Sequence, residues 1–146
     1  MELKKYEELL IENIKTLMGV DSPSGFTHNA TELVKKIITD LGYKYTQNNS
    51  GNVVVEIEGE DDTAPLGMSA HLDTLGLMVR SIKDNGDLAF TVIGSPVTPS
   101  LDGEYCRIYT REGKVYEGTV ISETPAKHVF KDANTHPREE RDMVIR

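Results

Sequence analysis

His71 and Asp73 stand two residues apart in the stretch Leu66-Gly67-Met68-Ser69-Ala70-His71-Leu72-Asp73-Thr74-Leu75-Gly76-Leu77-Met78-Val79. Residues two apart on a strand project from the same face, and a short bend would also leave them close together. A carboxylate beside an imidazole accepts the N–H of one ring nitrogen. That fixes the tautomer and leaves the other nitrogen to bind a metal. One reading is therefore that His71 is a metal ligand and Asp73 its orienting partner. The other is a buried His–Asp hydrogen bond with a structural role. The three-residue pattern alone favours the structural one, because His-x-Asp is common by chance. The chain has three further histidines, His28, His128 and His136. His28 falls in the first turn of a helix pattern, where exposure is expected. His136 lies in the polar run Thr135-His136-Pro137 and reads as solvated. The single cysteine, Cys106, excludes an internal disulfide. It sits in a strand-like run and reads as a small buried apolar side chain.

The elements that must position this pair follow from periodicity. Leu66 to Ala70 is short and apolar, and suits a buried, partly parallel strand that delivers His71 at its carboxyl end. Sites in open α/β sheets lie at such strand ends. Upstream, Leu3 to Met18 carries Leu3, Tyr6, Leu9, Leu10, Ile14, Leu17 and Met18 at helical spacing, and Gly19 ends the pattern. The turn residues Asp21-Ser22-Pro23-Ser24-Gly25 form a loop. A second helix is predicted from Thr27 to Leu41, closed by Gly42. Tyr43 to Gln47 leads into the turn Asn48 to Asn52, and Val53 to Ile57 has the β-branched content of a strand. Glu58 to Thr63 is an acidic, solvated loop.

Beyond Ile82 the pattern is all strand. Asp84-Asn85-Gly86-Asp87 makes a hairpin of Leu77–Ile82 and Leu88–Ile93. Arg111-Glu112-Gly113 makes another of Tyr105–Thr110 and Lys114–Ile121. The Pro- and Ser-bearing run Gly94 to Leu101 is a loop between them. Lys131 to Arg146 is highly charged and ends on the apolar Met143-Val144-Ile145. This reads as an element cut short, with an unpaired edge that would be poorly ordered or would pair with a neighbouring chain.

At 146 residues the chain is long enough for one ordinary domain with a real core. Its formal net charge of −8 argues against a phosphate-binding surface and against nucleic-acid partners. No apolar run is long enough for a transmembrane helix, so no membrane partner is expected. Met1-Glu2-Leu3-Lys4-Lys5 lacks the apolar region of a signal peptide, and a cytoplasmic location is the default expectation.

The run Ser-Ala-His-Leu-Asp-Thr-Leu-Gly-Leu-Met-Val around His71 resembles the first metal-ligand segment of the dinuclear glutamyl and deblocking aminopeptidases, some of which were once labelled endoglucanases. Other motifs fit in the same order. Ser22-Pro23-Ser24-Gly25-Phe26 looks like the family's loop between its first two helices. Ser50-Gly51-Asn52-Val53 looks like its turn into a strand. Pro125-Ala126-Lys127-His128 resembles a stretch of its inserted β domain, which gives His128 a place there and no ligand role. The resemblance runs from about Leu3 to the last residue. Thr74 departs from it, since an acidic residue is common there.

The resemblance implies an α/β fold: the N-terminal half of an aminopeptidase catalytic domain over residues 1–84, then a small, barrel-like inserted β domain over 85–146, incomplete at its C-terminal end. It implies two divalent ions per site, zinc or cobalt, with His71 as a ligand and Asp73 as its catalytic-site partner. It also implies peptide substrates and a homo-oligomeric full-length enzyme. The other ligands and the general base come from beyond the β domain, so the 146-residue chain alone is expected to be inactive. Two alternatives stand beside this reading. One is a truncated, non-catalytic binding or assembly module. The other is a glycoside hydrolase, which needs two carboxylates about 5–9.5 Å apart across a sugar bond; nothing in the sequence marks such a pair.

Overall fold

The computed structural model describes residues 2–61 and 63–146. Expectations that touch Met1, Asp62 or the side chains of Glu2, Leu3 and Lys5 lie outside the described residues. The chain divides into two compact units, residues 1–74 and residues 75–146.

The first unit holds both helices, α1 (Glu2–Met18) and α2 (His28–Asp40). The apolar stripe of α1 forms as its spacing requires, but Tyr6, Leu9, Leu10, Ile14 and Met18 are exposed. α2 buries only Ala30 and Thr31. Its end is closed by Gly42 at φ 84°, with Gly42 N–H donating to Thr39 C=O and Tyr43 N–H to Ile38 C=O. These two bonds are the Schellman pattern, and the left-handed residue they need is the reason a glycine follows the helix. A minimal hairpin comes next, β1 (Thr46–Gln47) against β2 (Val53–Val54). Its turn is held by the Asn48 side chain, whose Oδ1 accepts the N–H groups of Ser50 and Asn52, each at 3.0 Å.

Two strand expectations fail in this unit. Val55 to Ile57 does not continue β2, because β1 pairs with only two of its residues. Leu66 to Ala70 is not a buried strand: it is irregular and open, with Leu66 88% and Met68 91% exposed. A strand buried on both faces needs neighbours on both edges to take up its N–H and C=O groups. Among the described residues this segment finds none. Among the described residues the one parallel pairing is an isolated bridge between Pro23 and Thr74.

The second unit is an antiparallel sheet of β3 (Gly76–Ile82), β4 (Leu88–Ile93), β5 (Tyr105–Tyr109), β6 (Val115–Ser122) and β7 (Met143–Ile145). Their spatial order is β3-β4-β7-β6-β5. Both predicted hairpins form where expected, β3–β4 and β5–β6. Gly86 and Gly113 sit in their turns at positive φ, 89° and 78°. A register shift lies between Val79 and Ser81, so Arg80 is the extra residue of a bulge. The division expected between residues 84 and 85 falls inside the β3–β4 turn. β3 groups with the strands that follow it because its backbone bonds run to β4, and the division between the two units falls after Thr74.

The C-terminal residues reverse another expectation. Met143-Val144-Ile145 is a central strand, flanked by β4 and β6, with all three side chains buried. Strand side chains alternate, so β7 is covered on both faces. It pairs with β6 along its length and with β4 at Ile145, and its side chains sit in the core, which leaves no loose apolar tail. Phe90, Val120, Met143 and Ile145 form that core, with Leu77, Leu88, Val92, Leu101, Cys106 and Ile108 packed against it. Cys106 is half-buried, and burial pushes its thiol pKa up, as suits an inert packing role. Arg146 closes the sheet by a bidentate pair with Asp87, at 2.9 and 2.7 Å. No helix among the described residues is long and apolar enough to cross a membrane.

Candidate metal-ligand site

His71 and Asp73 lie in the irregular segment that ends the first unit, not at the end of a strand. What places them is a backbone tie to the loop between the helices. Thr74 N–H donates to Ser22 C=O at 2.7 Å, the bond of the Pro23–Thr74 bridge. The loop is itself a tight turn, closed by Phe26 N–H to Pro23 C=O at 2.7 Å. Gly25, third in that turn, has φ 86°. A positive φ at the third position is what a type II turn demands and what glycine supplies. The turn leaves Ser24 at its corner, facing Asp73.

The side-chain geometry is a short chain of hydrogen bonds. Ser24 Oγ donates to Asp73 Oδ2 at 2.5 Å. His71 Nδ1 lies 3.1 Å from Asp73 Oδ1 and 2.9 Å from the Asp73 backbone oxygen. An ionised carboxylate and a carbonyl can only accept, so Nδ1 carries the proton in the neutral ring. Nε2 is then the nitrogen with a free lone pair. The Ser24 hydroxyl is the largest influence holding the Asp73 carboxyl below its usual pKa; partial desolvation opposes it and His71 adds to it. Asp73 is therefore a carboxylate at neutral pH, the state an orienting partner needs. The His71 side chain is 85% exposed and that of Asp73 43%. The expected neighbourhood of the pair is present, and the expected burial is not.

No group of three or more His, Cys, Asp or Glu side chains able to hold a metal occurs among the described residues. One imidazole with an open Nε2 fits a single ligand position. A catalytic zinc ordinarily takes three protein ligands. The other histidines do not complete the set. His28 and His128 are exposed. His136, expected to be solvated, is instead half-buried at 23% side-chain exposure, with Nδ1 3.2 Å from Asp132 Oδ2 and Nε2 3.8 Å from Asp142 Oδ1. It staples the loop before β7 and lies in the other unit.

The model of the M42 glutamyl aminopeptidase family matches residues 51–145. The chain belongs to that family. YhfE of Bacillus subtilis is 35% identical over 136 residues, 93% of this chain and 39% of that protein. Among solved structures, the TET aminopeptidase of a marine sediment archaeon of the Thaumarchaeota superposes with a TM-score of 0.81 at 27% identity, over 96% of this chain and 38% of that one. The TET1 peptidase of Pyrococcus horikoshii, described as assembling into a tetrahedron or a large octahedral shell, gives 0.72 at 26% identity, over 93% and 39%. This M42 chain thus spans about two fifths of the length of the relatives it matches.

Ser24 is the residue that the sequence left without a role. By its turn residues the loop reads only as a connection, and the resemblance puts it near the active-site side without giving Ser24 itself a role. The bond to Asp73, however, spans 49 positions. No local periodicity carries a contact of that separation.

Proposed function

We propose that this chain supplies the first metal-ligand segment of a dinuclear metallo-aminopeptidase that removes N-terminal residues from peptides. The observation that carries the proposal is the orientation of His71: Asp73 accepts the Nδ1–H hydrogen bond, which leaves Nε2 free for a ligand. When bound, a pair of divalent ions, zinc or cobalt, would supply polarisation of the scissile carbonyl and an activated water. His71 Nε2 would hold one ion, and Asp73 would fix the ring and raise its basicity. The remaining ligands and the general base belong to the rest of a longer protein, in keeping with relatives of which this chain spans only 39% or less. In that protein residues 75–146 form a small β domain inserted into the α/β catalytic domain. The apolar faces of α1 and of Leu66–Ala70 become covered, and the enzyme is a cytoplasmic homo-oligomer.

Peptide release on two proteins tests this. The 146-residue chain should not hydrolyse aminoacyl substrates with or without added zinc or cobalt. In the longer protein, His71→Ala should remove one metal and nearly all activity, and Asp73→Asn should weaken metal affinity or rate by roughly 10–100-fold. Turnover by the short chain that survives repurification and is lost in His71→Ala refutes the placing of the other ligands outside this chain. A longer protein that keeps both metals in His71→Ala refutes the assignment of His71. The incomplete ligand set among the described residues favours a second reading, a non-catalytic binding or assembly module. A longer protein that holds no metal and releases no residue would establish that one. The glycosidase alternative is not favoured, because the sequence marks no pair of carboxylates placed for that chemistry.

A further inference from the structure

We propose that Ser24 is a positioning residue: its hydroxyl holds the Asp73 carboxylate in the rotamer that receives His71 Nδ1–H, so that Ser24, Asp73 and His71 act as one chain presenting Nε2. This rests on His71 being a ligand that Asp73 orients. The need for such a holder follows from exposure. Asp73 is nearly half exposed, so water competes for both of its oxygens and its side chain has room to turn. A hydroxyl 2.5 Å from Oδ2 occupies one oxygen and leaves Oδ1 aimed at the imidazole. The hydroxyl is itself held in place. Phe26 N–H closes the turn on Pro23, and Ser22 C=O ties that turn to Thr74, the residue after Asp73. Donor and acceptor are thus locked by backbone bonds on either side of the contact, and the orientation of His71 is built from the helix-connecting loop as well as from its own segment. Two oxygens of Asp73 receive the Nδ1 proton, the carboxylate and the backbone carbonyl. Loss of Ser24 therefore weakens the charged acceptor and leaves the neutral one.

The experiment is solution NMR of the 146-residue chain at one fixed neutral pH. It reads the Asp73 side-chain rotamer from three-bond couplings and the His71 tautomer from long-range proton–nitrogen spectra. The unmodified chain should show a single Asp73 rotamer and a dominant Nδ1–H imidazole. Ser24→Ala should average the couplings and move the tautomer ratio about two- to fivefold toward Nε2–H, with the amide spectrum of the second unit unchanged. Ser24→Thr, which keeps the hydroxyl, should restore both. Should Ser24→Ala unfold the loop, Ser24→Cys keeps the volume with a much weaker donor and gives the same reading. Unchanged couplings and tautomer in Ser24→Ala overturn the proposal. A Ser24→Thr that behaves like alanine overturns it too, since the loop and not the hydroxyl then matters. Asp73→Ala separates the two levels. If it shifts the tautomer while Ser24→Ala does not, only the role of Ser24 falls. If it leaves the tautomer unchanged as well, the orientation of His71 by Asp73 falls with it.

Discussion

Gly118→Ala should destabilise the second unit, against the usual tendency of that substitution in a strand. Gly118 lies in β6, opposite Cys106 of β5. A Cβ there would meet Ile145 Cγ2 at 2.6 Å, Ile108 Cδ1 at 3.0 Å and the Arg146 backbone oxygen at 3.2 Å. The first contact is with a core side chain of the central strand, 3% exposed and without room to swing aside. The third is with an oxygen that accepts Thr119 N–H at 2.7 Å, so moving β7 away breaks a ladder bond. Overpacking of this kind costs about 1–3 kcal/mol. Removing a strand glycine returns roughly 0.5–1 kcal/mol. Taking the middle of both ranges, the net loss is about 1 kcal/mol, which lowers the melting temperature of a domain this small by roughly 4–8 °C. Ile145→Ala should cost about 2–5 kcal/mol by leaving a cavity. In that background the closest contact is gone, so Gly118→Ala should cost measurably less than it does alone. A double-mutant cycle by urea denaturation, followed by circular dichroism, reads the coupling. A Gly118→Ala chain that melts at or above the unmodified one, or costs that simply add, would refute the packing argument.

Two further tests address the same unit. Glu140 accepts Val92 N–H and the Thr91 hydroxyl, both at 3.0 Å, and pairs with Arg80 at 3.3 Å. The Val92 N–H is the largest of the effects that lower its pKa, with Thr91 and Arg80 adding and desolvation opposing. A carboxyl depressed in the folded state stabilises above its unfolded value of about 4.3. That contribution is lost as pH falls through the lower folded value. The stability gap between the unmodified chain and Glu140→Gln should therefore shrink on acidification below about pH 4.3, and a gap that stays constant from neutral to acid pH in urea titrations counts against the assignment. Phe90→Ala, at a side chain with 0% exposure, should cost about 3–5 kcal/mol, a large share of the roughly 5–15 kcal/mol of a typical domain. A midpoint close to that of the unmodified chain would mean that the core is not centred there.

Two apolar runs stand in the structure opposite to the sense their sequence suggests, and the reason is common to both. Leu66 to Ala70 looks like a core strand and is exposed; Met143 to Ile145 looks like a severed end and is the centre of a sheet. An apolar run states that burial is favourable but does not say which partner provides it. Hairpins escape this ambiguity because their partner is the next element in the chain. The turns at Asn85-Gly86 and Glu112-Gly113 bring β3 to β4 and β5 to β6 with little choice of register. β7 takes its place between β4 and β6 through contacts tens of residues away, which no local signal carries. The candidate site divides along the same line. His71 and Asp73 are two positions apart, so their pairing was legible from spacing. Ser24 reaches Asp73 only because a turn and one backbone bridge bring two distant loops together. The burial that would usually accompany such a pair is missing for the same reason that Leu66 to Ala70 is open. A strand leading into His71 would carry the site inward only with neighbours on both of its edges. The site's geometry therefore depends on a turn 49 residues upstream, and no strand among the described residues pairs with the segment that leads into it.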